Sequence, residues 1–414
     1  MAISNGLSAV YEALHSAAPY ALAEVVRDAL VAHTPVQSAE LLLADYALVA
    51  LRPVLDTPVL GDDEIRIDSS DAGRAFASQQ AQWEESHSTL HLPVTACGER
   101  FGVLSVRLPI APELDDVGEL LEVAEALGHG LRGADRLTDR YQRARRMARM
   151  TLAAEMQWGL LPGYGHTGKG YRLAGQLEPA YAVYGDNFDW SCDPDSLGLS
   201  ITNGMGEGMR AALLTTLAVT ALRNARRSGA GLEEQAGLAD EAIYAQYGGR
   251  EYVSTLLLRF EAATGQLFAV DAGSPRLIRL RGLDVETIKF DQQLPLGMFG
   301  NTTYVEQSVS LQPGDRMVVI SDGVYGGALL GRGAVRRGAP RVRRQIHPAA
   351  TGRRGRQDND SWHADVQGRR RRLRRRRRGV PRLDRRPDRR SPSPREGRCC
   401  LRCPRTLPRT GIAV

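Results

Sequence analysis

The sequence of 414 residues predicts an α+β protein with two folded regions followed by a basic tail. The first region alternates helical and strand patterns, whereas the second consists of apolar strands, tight turns and a buried helix. Beyond Gly331 the apolar periodicity ends and arginine dominates. We therefore expect domains over residues 1–135 and 166–330. A helical linker over residues 136–165 would join them, and residues 331–414 would form a disordered tail.

The net charge of +6 conceals two regions of opposite sign. Residues 331–414 contain 28 arginines, no lysine and six acidic residues, a net charge of +22, whereas residues 1–330 carry −16. An acidic folded part argues against nucleic acid as its ligand, because binding to the phosphate backbone depends on clustered basic residues. Nucleic acid is therefore not expected as a partner except through the basic tail.

The sequence gives no sign of export or membrane insertion. Residues 1–10 lack a basic segment followed by an apolar run, and no window approaches the ~20 apolar residues of a membrane span. Cys97 and Cys192 are isolated, which argues against a disulfide framework. We expect a cytoplasmic protein with no membrane contact.

The N-terminal region has the pattern of a small α+β domain. Residues 5–33 show helical spacing, residues 39–51 read as two strands with a turn at Ala44-Asp45, and residues 90–108 form a hairpin around Gly98. With the strand phrase Leu92-Pro93-Val94, this order resembles a GAF sensor domain. An unspecified α+β domain is the alternative.

A long helix is predicted to begin near Leu114 and to run through a charged stretch to Leu161, where Pro162 and Gly163 end it. The charges over residues 132–149 are expected to form a solvated helix face.

The chemistry-bearing motifs lie between residues 171 and 327. Gly185-Asp186 follows an apolar stretch, and a strand over residues 197–202 enters a glycine-rich loop at Asn203-Gly204. Such loops bring backbone groups close to an ion or phosphate. A later apolar strand delivers Asp322 followed by glycine, a typical way to present a carboxylate to a metal.

The ordered motifs resemble one phosphatase family. Gly-Asp, Gly-Met-Gly-x-Gly, Ala-Gly-x-Pro, Pro-Leu-Gly, Pro-Gly-Asp and Asp-Gly follow one another as in PPM-type (protein phosphatase 2C-like) serine/threonine phosphatases of the bacterial stage-II-sporulation-E-like branch. The resemblance implies an α-β-β-α sandwich with two Mn²⁺ or Mg²⁺ ions that activate a water. It implies that Asp186 and Asp322 are catalytic metal ligands, and that Asn203 and the Gly204 carbonyl also bind metal.

Two further aspartates have expected roles. The resemblance implies that Asp189 holds a metal-bound water. Asp271 stands where the family often has asparagine, and it is expected either to be structural or to contact the metal ligands without binding the ion itself.

The chain departs from the family pattern in two ways. Asn203 stands where the family has an aspartate that bridges both metals, and a neutral amide should bind metal more weakly. A late aspartate, the last helix and the last strand have no counterpart after Asp322, which predicts a C-terminally incomplete domain.

The linker carries a further likeness to this family. Leu160-Leu161-Pro162 resembles the stretch that precedes the catalytic domain, and this implies a connection from sensor to active site, across a homodimer.

Three interpretations of the tail stay open. It is a nucleic-acid-binding or localisation arm, a disordered self-repelling segment, or a segment translated out of frame. The third arises because GAC codons read one base earlier after a C become CGA arginine codons. Arg374–Arg378 then stands where an aspartate-rich turn is expected.

Taken with its resemblance, the sequence predicts a metal-dependent protein serine/threonine phosphatase in bacterial signal transduction. The resemblance implies that its partner is a phosphorylated regulator of the anti-anti-sigma type. The alternative is a catalytically inactive phosphatase fold that acts as a binding module, which Asn203 and the missing late aspartate favour.

Overall fold

The structure, a computed structural model, describes residues 4–54, 64–178, 185–273, 275–321 and 409–413. Its N-terminal domain is an antiparallel six-stranded sheet in the order β3-β2-β1-β6-β5-β4, with helices on both faces. The strands are β1 (Ser38–Ala44), β2 (Ala50–Pro53), β3 (Ile65–Arg66), β4 (Gln82–Glu84), β5 (Thr89–Ala96) and β6 (Glu99–Arg107). The helices are α1 (Ser4–Ser16), α2 (Leu22–His33), α3 (Asp71–Ser78) and α4 (Leu114–Ala134), with 3₁₀ turns at Pro19–Ala21 and Glu85–His87.

Alternation along the strands explains the two cores of this domain. Leu92 and Leu104 face a core shared with α1, α2 and α4, whereas Val103 faces a smaller core with Phe76 of α3. The predicted helices, the first two strands and the hairpin around Gly98 are confirmed. The GAF-like assignment stays a prediction.

The prediction of one continuous helix from Leu114 to Leu161 is wrong. After α4 the chain forms only α5 (Arg140–Ala144) and α6 (Leu152–Leu160), separated by non-helical residues. Arg140 pairs with Glu24, and the Tyr141 hydroxyl accepts a hydrogen bond from the Leu22 backbone N–H at 3.1 Å. These contacts fold the charged stretch back onto the N-terminal domain, so tertiary packing overrides helical continuity.

The C-terminal domain is a sandwich of two antiparallel sheets with orders β15-β12-β11-β10-β9 and β14-β13-β16-β17-β8-β7. Its first strands are β7 (Gly165–Gly168), β8 (Tyr171–Glu178), β9 (Asp186–Cys192) and β10 (Ser196–Gly204). Two helices follow, α7 (Gly208–Arg227) and α8 (Leu232–Tyr247). The later strands are β11 (Val253–Glu261), β12 (Gln266–Ala272), β13 (Arg276–Arg281), β14 (Asp284–Ile288), β15 (Gln307–Ser310), β16 (Arg316–Ile320) and β17 (Arg409–Ala413).

Two cores hold this domain together. Between the sheets, Phe188, Leu199 and Leu256 pack with Leu277 and Val319. On the outer face of the five-stranded sheet, α7 and α8 bury a second apolar cluster against β11 and β12. The two packed sheets agree with the predicted β-sandwich. Among the described residues, α7 and α8 are flanking helices of the predicted kind, and they cover the five-stranded sheet.

The expectation that nothing after Gly331 packs is wrong for β17. This strand lies between β16 and β8, pairing Ile320 with Gly411 and Gly411 with Gln176. Its ladder satisfies backbone groups that would otherwise form two sheet edges. The rest of the predicted tail, including Arg374–Arg378, lies outside the described residues.

None of the helices in the described ranges combines the length and the apolar character needed to cross a bilayer.

Candidate metal centre

The candidate site begins with a pair of residues on neighbouring strands. Asp186, the first residue of β9, lies directly opposite Asn203 near the end of β10. Strand alternation places Asp186 on the same face as Phe188, which packs in the core between the sheets. Asp186 is only 1% exposed, so its carboxyl group lies at one end of the space between the sheets.

Two glycines allow the backbone beside this pair to approach closely. The Gly204 N–H donates to the Gly185 carbonyl at 2.9 Å, and the Thr215 hydroxyl of α7 donates to the same carbonyl at 2.7 Å. A Cβ at Gly185 would lie 1.9 Å from the Gly204 oxygen, and one at Gly204 would lie 2.4 Å from Thr215 Oγ1. Only glycine therefore keeps the Gly204 carbonyl next to the residue that precedes Asp186.

The second sheet reaches the same place through the end of β16. Ser321, which is 2% exposed, donates a hydrogen bond from its hydroxyl to Asp186 Oδ2 at 2.9 Å. The next residue is Asp322, which lies outside the described residues. The structure thus brings together Asp186, Asn203 and Gly204 of the predicted site, together with the chain neighbour of its fourth member.

The donors among the described residues are suited to a hard divalent cation. They are one carboxylate at Asp186, one amide oxygen at Asn203 and one backbone carbonyl at Gly204, all oxygens of the kind that Mg²⁺ and Mn²⁺ prefer. Within the described ranges, no group of three His, Cys, Asp or Glu residues could hold a metal ion. The described donors therefore fit one weakly held ion and do not supply the charge that two ions require.

Asp189 has a different role from the expected one. It faces away from Asp186 across β9 and accepts hydrogen bonds from Arg223 at 2.6 Å and Arg226 at 2.9 Å. Arg223 also donates to the Leu160 carbonyl at the end of α6. Asp189 thus ties α7 to the strand and the linker, and the prediction that it holds a metal-bound water is wrong.

Asp189→Ala should destabilise the C-terminal domain. The change leaves two partly buried guanidinium groups without their carboxylate, and removing one partner of a buried ion pair is costly. Because both arginines keep some contact with water, we expect a loss of about 2 kcal/mol, or a fall in Tm of roughly 4–8 °C. Thermal unfolding followed by circular dichroism checks this, with the exposed Asp193→Ala as the control.

Asp271 is not part of the site. It lies on β12, three strands away from Asp186 in the same sheet, and at ordinary strand spacing this is roughly 14 Å. Two carboxylates so far apart cannot bind one ion. Burial raises the pKa of Asp271 to about 6, while a backbone N–H from Gly273 opposes the shift.

Asp271→Asn should stabilise the protein at neutral pH but not in acid. Because the folded pKa lies above the unfolded one, the stability that protonated Asp271 contributes is complete below about pH 4 and is lost as the pH rises through about 6. Above pH 7 we expect the variant to gain about 1 kcal/mol, after discounting for partial exposure. Equal Tm differences at pH 4 and pH 8 would contradict this.

Sequence reasoning missed two residues that shape the site. Thr215 is a fully buried polar residue within the apolar stripe of α7, and that mismatch was the available signal. Ser321 offered no signal of its own apart from its position beside Asp322.

One family model matches part of the chain. Residues 193–365 match the model of the family described as Stage II sporulation protein E. This match begins after Asp186 and continues past Gly331 into the arginine-rich segment. A comparison with curated proteins finds no match.

Several solved structures are similar to the chain. The phosphatase domain with a regulatory fragment of SpoIIE from Bacillus subtilis is 20% identical, over 37% of this chain and 45% of that chain, with a TM-score of 0.34. The RsbU and RsbW domains of Rv1364c from Mycobacterium tuberculosis are 23% identical, over 37% and 43%, with a TM-score of 0.34. The SiaA-PP2C domain of Pseudomonas aeruginosa is 20% identical, over 41% and 69%, with a TM-score of 0.35.

The chain spans less than half the length of the first two of these structures. Identities and TM-scores of this size support no inference about chemistry. The family model, however, covers a defined stretch of the sequence. The chain is therefore similar, over residues 193–365, to the family described as Stage II sporulation protein E.

Proposed function

We propose that this protein is a metal-dependent protein serine/threonine phosphatase. The observation that carries the proposal is the buried Asp186 carboxyl group, opposite Asn203 and hydrogen-bonded to the residue before Asp322. Carboxylates at the ends of buried strands from two facing sheets are suited to holding a divalent ion at the edge of a sandwich. The family match over residues 193–365 supports the same reaction class.

The proposed cofactor is Mn²⁺ or Mg²⁺, held by Asp186, the Asn203 amide, the Gly204 carbonyl and Asp322. Such an ion supplies positive charge to the transferring phosphoryl group and lowers the pKa of a nearby water. The protein's own part is to hold the Asp186 carboxylate in place through Ser321 and to keep the Gly204 carbonyl within reach.

The proposed substrate is a phosphoserine or phosphothreonine on a regulatory protein of the anti-anti-sigma type. This follows from the resemblance of the motifs to the sporulation-type branch. In this proposal the N-terminal domain is a GAF-like sensor in a cytoplasmic homodimer, and it sets the activity of the C-terminal domain.

The proposal is tested with the full chain and a phosphoserine peptide. Released phosphate is measured with Mn²⁺, with Mg²⁺ and with EDTA, and we expect hydrolysis only when a divalent ion is present. Hydrolysis that persists undiminished in EDTA would contradict the metal-dependent mechanism.

A catalytically inactive binding module is the second candidate. The observation that favours it is Asn203, which replaces an anionic ligand with a neutral amide in a site that has one described carboxylate. A chain that shows no hydrolysis with either ion, but still binds a phosphorylated partner, would establish this alternative.

A further inference from the structure

A cleft of about 740 Å³ lies between the N-terminal domain, the linker and the sandwich. Its walls include Tyr46 from the first domain, Arg145 and Trp158 from the linker, and Trp190 from β9. This volume falls within the range of roughly 300–1,000 Å³ that is typical of small-molecule sites. Asp189 is on its wall and Asp186 is not, so the cleft is distinct from the candidate metal centre.

Arg145 is the unusual residue in this cleft. It is 5% exposed, and its guanidinium carbon lies 4.9 Å from the ring centres of both Tyr46 and Tyr164. Its Nε donates to the Ala44 carbonyl at 2.9 Å. Among the described residues, no carboxylate forms an ion pair with Arg145, and its Nη2 is buried without a hydrogen-bond partner.

A buried cationic donor without a partner is costly, which indicates that the cleft is built to receive an acceptor. Two other residues of the wall also have unpartnered buried donors, at Arg146 Nε and Trp190 Nε1. No residue that lines the cleft, within the described ranges, has a buried acceptor without a partner. The unmet hydrogen bonding is therefore all of the donating kind.

The charge of the cleft lining is also suited to an anion, because basic side chains outnumber acidic ones. Seven arginines and five carboxylates line it. Of those carboxylates, Asp189 and Glu155 are already held by arginines, and Glu99 lies 3.7 Å from Arg132. Burial raises the pKa of both Glu99 and Asp135, because a carboxylate is less stable away from water.

We propose that this cleft binds a small oxyanion, a molecule that carries a phosphate or carboxylate group. The edge of the Arg145 guanidinium, held between two aromatic rings, donates to the oxyanion, and Trp190 Nε1 supplies a second donor. Because its walls come from both domains, the occupied cleft links the state of the N-terminal domain to the sandwich. This inference is independent of phosphatase activity.

Calorimetric titration of the full chain tests this proposal. Inorganic phosphate, pyrophosphate and citrate are the probes, and EDTA in the buffer removes any contribution from the candidate metal centre. We expect at least one probe to bind, and comparison of the three shows whether a phosphate or a carboxylate is preferred. Arg145→Gln should weaken binding about ten- to a hundredfold, because a charge-assisted hydrogen bond is lost. The exposed Arg107→Gln is the matched control and should bind normally.

Trp190→Phe keeps an aromatic side chain but removes the Nε1 donor together with part of the indole, and it is the second test if Arg145→Gln fails to fold. We expect it to bind the probe several-fold more weakly, with an unchanged circular dichroism spectrum. The proposal is overturned if none of the three probes binds the unaltered chain. It is also overturned if folded Arg145→Gln or Trp190→Phe binds as tightly as the parent.

Discussion

Asp186→Ala should reduce Mn²⁺-dependent phosphopeptide hydrolysis at least a hundredfold. Substitutions one shell outside a metal ligand already cost about 10–100-fold, and Asp186 is the only carboxylate that the described residues bring to the candidate centre. Asp322→Ala should have the same effect. The released phosphate is measured at saturating Mn²⁺, with protein concentration set by absorbance.

A matched set of variants separates loss of the ligand from loss of the fold. Asp186→Asn keeps an acceptor for the Ser321 hydroxyl, so its Tm should stay near that of the parent while activity is lost. Asp193→Asn removes an exposed carboxylate from the turn that follows β9 and should leave activity unchanged. Full activity in both Asp186→Ala and Asp322→Ala would refute the site assignment.

The pairing at the heart of the site could be foreseen from sequence. Apolar alternation fixes which face of β9 and β10 is buried, and a slip of one residue would turn Asp186 out of the space between the sheets. The glycines at positions 185 and 204 then mark where two backbones approach too closely for a side chain. These signals are local, so a single sequence carries them.

The linker could not be foreseen in the same way. Its arginines suit a solvated helix face, and nothing local shows that Arg145 leaves the helix to lie between Tyr46 and Tyr164. Tyr46 is far from Arg145 in the sequence, and α6 with its flanking turns separates Arg145 from Tyr164. A buried cation between two aromatic faces is therefore a property of the assembled domains. Asp189 was misplaced for a related reason, since its partners lie on α7.

At the end of the chain, one feature could be predicted from the sequence and another could not. Composition marks residues 331–414 as strongly basic, yet Arg409–Ala413 joins the six-stranded sheet and the family match continues to residue 365. Whether so short a segment forms a strand depends on the hydrogen-bonding edges of β16 and β8, between which it pairs. The sequence of the segment itself does not reveal those edges. The nucleotide sequence downstream of the Gly327 codon would decide among the three interpretations of the basic segment that precedes Arg409.

Asn203→Asp should strengthen Mn²⁺ binding at least tenfold. The new carboxylate would lie directly opposite Asp186, where it adds a second negative charge to the ion site. Calorimetric titration of Mn²⁺ measures the change. Asn224→Asp, an exposed change of the same kind on α7, is the control for added charge elsewhere on the domain.

The same substitution should change stability in opposite directions with and without metal. In EDTA, two carboxylates on directly opposite strand positions repel each other, so the Tm of Asn203→Asp should fall below that of the parent. With saturating Mn²⁺ the order should reverse, because tighter binding to the folded state raises its apparent stability. Mn²⁺ binding that is equal to or weaker than the parent's would show that Asn203 does not occupy the ligand position. A Tm that falls equally in both conditions would instead indicate a purely structural role for the amide.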